Sequence, residues 1–305
     1  YGAGVPERLG IDFNTISKIN PKISMVHITR FGLNGPYMEH TAYDGIIQSM
    51  SGIVSLTGQP GEPPTMVGSY IADQLTGLQG AMGAMLALFH REKTGVGKFV
   101  DVSMLDGMLS MMGYTLTEFM VNGKERDRYG NRDPRAFASM YPTKDGYIFL
   151  APLTQKMWEE LCQLMDKNEW ATSDSPYFTR EARMENRDFI EGKIAEWTQQ
   201  YLKEEAFQLL QSVGIASGPV NTLKDITTDP QVKERQMLRK IKLREAGEEI
   251  YVNGVPIKIN EDHLQELNPP PILGEHSKEI LEKLGYSGKE IEHLSKNGVI
   301  AVKMI

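Results

Sequence analysis

The amino-acid sequence predicts an α/β protein built on a parallel sheet, and three observations carry that expectation. ISMVHIT at 23–29 is an almost continuous apolar and β-branched run, the pattern of a strand buried on both faces. A second strand pattern covers Phe99 to Met104, with two helical patterns between the strands and another after them. Turn residues mark each boundary, so strand, helix, strand and helix alternate as in βαβ units.

Each element follows from its own residues. DFNTISKIN at 12–20 is a short helix stopped at Asn20-Pro21, and RFGLNGPY breaks the first strand with two glycines and a proline. Tyr43 to Met50 begins a helix, and Ser51 to Leu56 leads into a Gly- and Pro-rich loop from Gly58. That loop runs into a helix ending near Arg91, with Leu75, Leu78, Met82, Met85, Leu86 and Phe89 at helical spacing as its apolar face. Gly77, Gly80, Ala81, Gly83, Ala84 and Ala87 crowd the same helix. Its glycines cost helix stability, which close packing of the small residues against another backbone would offset. Asp106 to Val121 is a further helix, rich in Met and short of charge.

The pattern changes near residue 122. A polar linker gives way to two apolar runs around Lys144-Asp145-Gly146, a hairpin signal. Helices are expected over 155–166, 179–200 and 203–213, followed by a short apolar and glycine stretch and a helix containing Asp229-Pro230. Residues 238–258 have the pattern of antiparallel strands with Val252-Asn253-Gly254-Val255 as a turn. Two short helices opened by Ser277 and Ser287 close the chain.

With 305 residues and a net charge of −7, the chain has the composition of a soluble globular protein. No basic run interleaves with aromatics, so nucleic acid is not an expected partner. No apolar stretch approaches the length of a bilayer span, and no signal-peptide pattern opens the chain, so no membrane partner is expected. The single cysteine, Cys162, forbids an internal disulfide and points to a reducing, cytoplasmic setting. Its helical spacing with Met157 and Leu161 marks a packed thiol rather than a nucleophile. The opening, YGAGVPERLG, reads as the middle of a motif, and the first part of the protein is expected to be absent.

The common catalytic motifs fail in turn. No GxGxxG follows a strand, no Walker loop is present, and GVGK at 95–98 precedes a strand, the wrong order for a phosphate loop. The histidines, among them His27, His40, His90 and His276, show no HxxxH or HExxH spacing, so no metal is expected. GxSxG is absent. The catalytic group best placed by local context is Asp73, one acidic residue among uncharged neighbours where loop meets helix. That position suits a helix cap or first-turn acid first of all, with a carboxylate aimed at a ligand as the functional reading.

Several segments together resemble the family III CoA transferases: FGLNGPYMEHTAYDGIIQSMSG, TGQPGEPPTMVGSYIADQLTGLQGAMGAMLAL, HREKTGVGKFVDVSMLDG, GIASGPVNTLKDITTDPQVKERQML and LGEHSKEILEKLGYSGKEI. The resemblance runs nearly end to end in an unbroken order of motifs. It implies a Rossmann-like large domain, incomplete at its start, over 1–121, a linker over 122–134 and a smaller α+β domain over 135–222. Residues 223–305 would be a linker and a segment returning to the large domain. It also implies an interlocked homodimer, no tightly bound cofactor, and coenzyme A, as acyl-CoA, for a substrate with a small carboxylic acid as acceptor.

By the same resemblance Asp73, in YIADQLTG, is the nucleophile. It would attack the acyl-CoA carbonyl to give a mixed anhydride and then an aspartyl-CoA thioester, as carboxylate nucleophiles can. The helix N-terminus would keep Asp73 ionised and steady negative charge nearby. YGAGVPERLG resembles the segment that contacts the nucleotide end of CoA, which makes Arg8 a phosphate partner and Tyr1, Val5 and Leu9 candidate adenine contacts. Tyr43 and Asp44, in TAYDGIIQ, stand where the family carries residues that position substrate or the catalytic loop, and Asp44 suits an ordinary acid of a helix first turn equally well.

One departure concerns the lid. The glycine-run loop of formyl-CoA transferase has no counterpart in YGNRDPRAFASMYPTKDG, so a differently built lid and a substrate other than formate or oxalate are expected. The alternatives are an α-methylacyl-CoA racemase-like enzyme and an inactive binding fragment. Racemases carry His before the Asp, whereas Tyr43, with an ordinary pKa near 10, is a poor base near neutrality.

Overall fold

The computed structural model describes residues 1–243, 247–260 and 267–301. The chain divides into two compact units, 1–219 and 220–305.

In the first unit α1 (Val5–Leu9) and α2 (Phe13–Ile19) precede β1 (Met25–Thr29). Asp12 caps α2 by accepting from the Thr15 amide. Next come α3 (Asp44–Met50), α4 (Ile53–Leu56), the loop from 57 to 70 and the long α5 (Ile71–Thr94). Strand β2 (Phe99–Ser103) then pairs with β1 in parallel, Met25 opposite Phe99 through Thr29 opposite Ser103. The expected parallel α/β arrangement is present. β1 alternates, however, rather than being buried on both faces: His27 and Thr29 are buried while Ile28 is exposed.

The packing of α5 reverses the expectation from its sequence. Leu78, Met82, Met85, Leu86 and Phe89 are each 59–66% exposed, whereas Ala72, Thr76, Gly80 and Ala87 are buried. The small residues form the packed face because β-branched side chains of the sheet approach it closely. A Cβ on Gly80 would lie 2.7 Å from Ile28 Cδ1, and one on Gly83 would lie 2.7 Å from Val100 Cγ1. The close neighbours are therefore side chains of β1 and β2 rather than another backbone.

The single helix expected over 106–121 is two, α6 (Met104–Met111) and α7 (Tyr114–Asn122). Gly113 separates them with φ 53° and ψ −127°, a conformation that glycine adopts readily. Ser103 caps α6 through the Asp106 amide. Ala42, Ile47, Ala72, Met104 and Met108 form a core beneath these elements.

A second core lies further along the same unit. β3 (Ser139–Thr143) and β4 (Gly146–Ala151) make the expected hairpin, with Lys144 and Asp145 as its two-residue turn. Four helices follow: α8 (Gln155–Leu164), α9 (Arg180–Glu185), α10 (Arg187–Thr198) and α11 (Lys203–Ser212), with a 3₁₀ turn at Asn168–Ala171. The apolar and glycine stretch supplies β5 (Ala216–Pro219), which joins β4 antiparallel. Trp158, Ile148, Leu150, Leu161, Ile190, Ile194 and Leu210 are fully buried here, each burial being worth about 1.5–3 kcal/mol for a Leu- or Ile-sized side chain. Cys162 is buried among them, a packed thiol whose pKa burial pushes up to about 12.

The second unit holds α12 (Leu223–Thr228), α13 (Pro230–Glu234), β6 (Leu238–Lys242), β7 (Glu249–Asn253), α14 (Ser277–Lys283) and α15 (Gly288–Lys296). Three expectations change. The helix containing Asp229-Pro230 is two, because Pro230 starts α13 and Asp229 caps it through the Val232 amide. β6 and β7 pair antiparallel as expected, but Val252 and Asn253 belong to β7; the connection is 243–248, where 244–246 lie outside the described residues. Ser277 is the first residue of α14 and His276 its cap position, while Ser287 does cap α15 in a reciprocal pair with Glu290.

Candidate active site

The parallel strands end at Thr29 and Ser103, and at that end a cavity of about 270 Å³ opens. In open α/β sheets ligands bind in the crevice outside the carboxyl ends of the strands. The cavity is lined by Tyr1, Ile28, Thr29, Arg30, Tyr43, Asp73 and Met104, among others. Tyr1, Tyr43 and Asp73, far apart in sequence, are thus brought together. His27 Nε2 donates to the Tyr1 carbonyl at 3.0 Å and ties the first residue to β1.

Asp73 is the third residue of α5 and is exposed. Among the described residues its carboxylate makes no hydrogen bond or ion pair, so it does not cap its own helix. The cap comes from α3 instead. Asp44, buried, accepts from the Ala72 amide at 2.8 Å and from the Asp73 amide at 3.3 Å through Oδ1. The Ile71 and Gln74 amides donate to the Ser69 and Tyr70 carbonyls at 2.8 and 3.0 Å. All four first-turn amides are therefore engaged within the protein, and none is free to bind an oxyanion directly. The Asp44 charge also offsets the positive end of the helix, so the dipole neither steadies nor blunts the Asp73 carboxylate as strongly as α5 alone would.

Gln48, wholly buried and not evident in the sequence, completes this support. Its Nε2 donates to Asp44 Oδ2 at 2.6 Å and to the Ser69 carbonyl at 3.2 Å, and its Oε1 accepts from the Val67 amide at 3.0 Å. One turn of α3 thereby holds both the loop before α5 and the first turn of α5. The spacing of Asp44 and Gln48, four residues apart on one helix face, is the signal that was available.

A neighbouring cavity of about 360 Å³ is lined by Gly2, Ala3, Gly4, Arg8, Arg30, Met38 and Glu39. Arg30 lines both cavities and was also missed in the sequence; its place directly after β1 was the clue. Arg8 and Arg30 have no acidic partner within the ion-pair limit among the described residues. Val5 and Leu9 line neither cavity, and Leu9 is exposed on α1.

The segment after α7 is anchored by arginines rather than shaped by a glycine run. Arg128 donates to the carbonyls of Ser55, Gln59 and Glu62 and so clamps the loop that precedes α5. Arg187 donates to the carbonyls of Asp133 and Ala138 and to Glu191, which also pairs with Arg132.

An unpartnered carboxylate at the carboxyl ends of parallel strands, with two arginines in and beside its cavity, defines an α/β site for an anionic ligand. The model of CoA-transferase family III matches residues 1–277. The chain is 31% identical over 290 residues to the succinyl-CoA:mesaconate CoA-transferase of Haloarcula marismortui, covering 93% of this chain and 72% of that protein. It is 28% identical to the human succinyl-CoA:glutarate CoA-transferase, covering 98% of this chain and 68% of that protein. A solved CAIB/BAIF family protein from Brucella suis aligns with a TM-score of 0.80 and 31% identity, covering 92% of this chain and 73% of that one. The chain belongs to CoA-transferase family III and is a CoA-transferase; its homologues act on acyl-CoA and carboxylic acid substrates. No helix among the described residues is long and apolar enough to cross a membrane.

Proposed function

We propose that the protein moves CoA from an acyl-CoA to a carboxylic acid with Asp73 as covalent nucleophile. The observation that carries the reading is an exposed carboxylate with no partner among the described residues, lining a cavity while its backbone is held by Asp44. An Asp committed to capping or to an ion pair would have to give up that partner before attack; Asp73 has none to give up.

The reaction then balances in four transfers. An Asp73 oxygen attacks the thioester carbonyl, the C–S bond breaks, and CoA leaves as thiolate from a mixed anhydride. The thiolate attacks the Asp73 carbonyl of that anhydride, forming aspartyl-CoA and releasing the donor acid with the former Asp73 oxygen. The acceptor carboxylate attacks aspartyl-CoA and expels the thiolate, giving a second anhydride. The thiolate takes the acceptor's carbonyl, and Asp73 is regenerated carrying an oxygen from the acceptor. Each covalent intermediate divides a hard step into easier ones, provided water is kept out.

Arg8 and Arg30 would hold the phosphates of CoA, since a guanidinium fork matches phosphate oxygens, and Tyr1, Val5 and Leu9 would flank its nucleotide end. Tyr43 would contact substrate beside Asp73, and Asp44 would act through the backbone of α5. The division into a CoA-binding domain, a linker over 122–134, a smaller domain over 135–222 and a returning segment belongs to the same reading. So do an interlocked homodimer, which would cover the exposed apolar face of α5, the lack of a tightly bound cofactor, and a cytoplasmic location.

An acceptor acid labelled with ¹⁸O in its carboxylate tests the mechanism. Label should pass through Asp73 and appear in the donor acid released on later turnovers; donor acid free of label would overturn the anhydride route. α-Proton exchange of a 2-methylacyl-CoA in deuterated water without an acceptor would favour the racemase alternative.

A further inference from the structure

A second concave site lies within the first unit, away from the residues that line the Asp73 cavity. It is a cavity of about 220 Å³ walled by Ala136, Phe137, Pro152 and Leu153 and bearing two guanidiniums, Arg180 and Arg183. Arg183 is 3% exposed, and its guanidinium carbon lies 5.0 Å from the Trp158 ring centroid. Nη1 donates to Gln155 Oε1 at 3.2 Å and to the carbonyls of Tyr177 and Phe178 at 3.3 and 2.6 Å. The other two nitrogens are unused: Nε is buried without an acceptor, and Nη2 makes no hydrogen bond among the described residues. Gln155 Nε2, also buried, lacks an acceptor as well.

The charge is equally unmatched. Among the described residues no carboxylate lies within ion-pair distance of Arg183 or Arg180. Arg180 donates its Nη2 to the Arg135 carbonyl and is otherwise exposed. A buried guanidinium without a counter-charge is costly, and burial does pull Arg183 below the ordinary arginine range. Elsewhere in the same unit the buried Arg187 has its carboxylate, Glu191, at 2.6 Å. The contrast marks Arg183 as a cation that still lacks its anion.

We infer that this cavity binds a small carboxylic acid, its carboxylate on Arg183 and Arg180 and its short aliphatic body against Phe137, Pro152 and Leu153. A buried cation without a counter-charge calls for an anion, and Arg183 Nη2 and the Arg180 guanidinium offer N–H donors to the two oxygens of a carboxylate. The apolar walls suit a carbon chain better than a hydrated inorganic ion. The volume, equal to about seven waters in the liquid, admits a short acid and is too small for a nucleotide. The site is independent of the role assigned to Asp73.

Calorimetric titration with sodium succinate tests it, using the whole protein with Asp73→Ala so that no turnover occurs. The expected result is succinate binding that weakens at least tenfold in Arg180→Gln and is lost in Leu153→Asp, which sets a competing carboxylate in the cavity. Leu153 is 57% exposed, so this substitution leaves the fold intact where Arg183→Lys could disturb it. Crystals soaked in succinate should show its carboxylate on Arg183 Nη2. Absence of succinate binding, binding unchanged by both substitutions (as for succinate held at the Asp73 cavity), or water alone beside Arg183 would each overturn the proposal.

Discussion

Asp44 caps the helix that carries Asp73: one carboxylate oxygen accepts the Ala72 amide at 2.8 Å and the Asp73 amide at 3.3 Å, across 28 and 29 residues of sequence. The acid that looked like a cap in sequence is free, and the acid that looked like an ordinary first-turn residue of another helix does the capping. Asp44→Ala should therefore harm both stability and catalysis. It strips two amides of their acceptor and takes one of the two acceptors of Gln48 Nε2, a loss of about 2–3 kcal/mol by denaturant titration. Because Asp73 would then wander from its line of attack, kcat should fall by up to ~100-fold while KM for acyl-CoA changes little. An unchanged kcat would remove Asp44 from the positioning role.

Arg30 should act on binding rather than on chemistry. It lines both the Asp73 cavity and the neighbouring cavity that holds Arg8. A hydrogen bond to a charged group is worth about 1.5–3 kcal/mol, so Arg30→Ala should raise KM for acyl-CoA by roughly 10- to 100-fold. Arg30→Lys should recover part of that loss, since it keeps the charge without the fork. The measurement is steady-state kinetics over an acyl-CoA series; an effect confined to kcat would contradict the assignment.

Two glycines separate propensity from packing. A Cβ on Gly77 meets nothing within 4 Å, so Gly77→Ala should stabilise the helix by about 0.5–1 kcal/mol. A Cβ on Gly97 would lie 1.6 Å from the Ile23 carbonyl oxygen, a backbone atom that cannot swing away. The Gly97 amide also donates to the Pro21 carbonyl at 2.9 Å. Gly97→Ala should cost more than about 2 kcal/mol. Denaturant titration of both variants checks the pair.

Cys162 should be inert in the native protein. Burial raises its thiol pKa to about 12, so the native chain keeps a proton that the unfolded chain releases from near 9.0 upward. Its contribution to stability is complete below that value and is lost as pH rises towards about 12. A disulfide reagent at pH 8 should modify Cys162 only after unfolding; rapid labelling of the native protein would contradict the buried assignment.

What the sequence revealed depended on the range of the interactions. The β1–β2 alternation with helices and the Lys144-Asp145 hairpin were legible, because short-range periodicity and turn chemistry decide them. The face of α5 was not. Helical spacing of Leu78, Met82 and Phe89 marked an apolar stripe correctly, but burial is set by what approaches, and Ile28 and Val100 approach the glycines. Gly113 and Pro230 divided helices that periodicity alone had joined. At the site, Asp73 stood out as an isolated acid, and the resemblance supplied its proposed role. Gln48 and Arg30 matter through partners 19 and 21 residues away or through cavities, and their local clues, the four-residue spacing to Asp44 and the place directly after β1, do not by themselves mark a site.

The central claim is that Asp73 becomes covalently acylated. The whole protein should be incubated with succinyl-CoA and hydroxylamine, digested, and mapped by mass spectrometry. The expected result is a hydroxamate on Asp73, formed only when acyl-CoA is present and absent from Asp73→Asn, together with loss of transfer in Asp73→Ala. Normal transfer by Asp73→Ala, or a hydroxamate on any residue other than Asp73, would contradict the account.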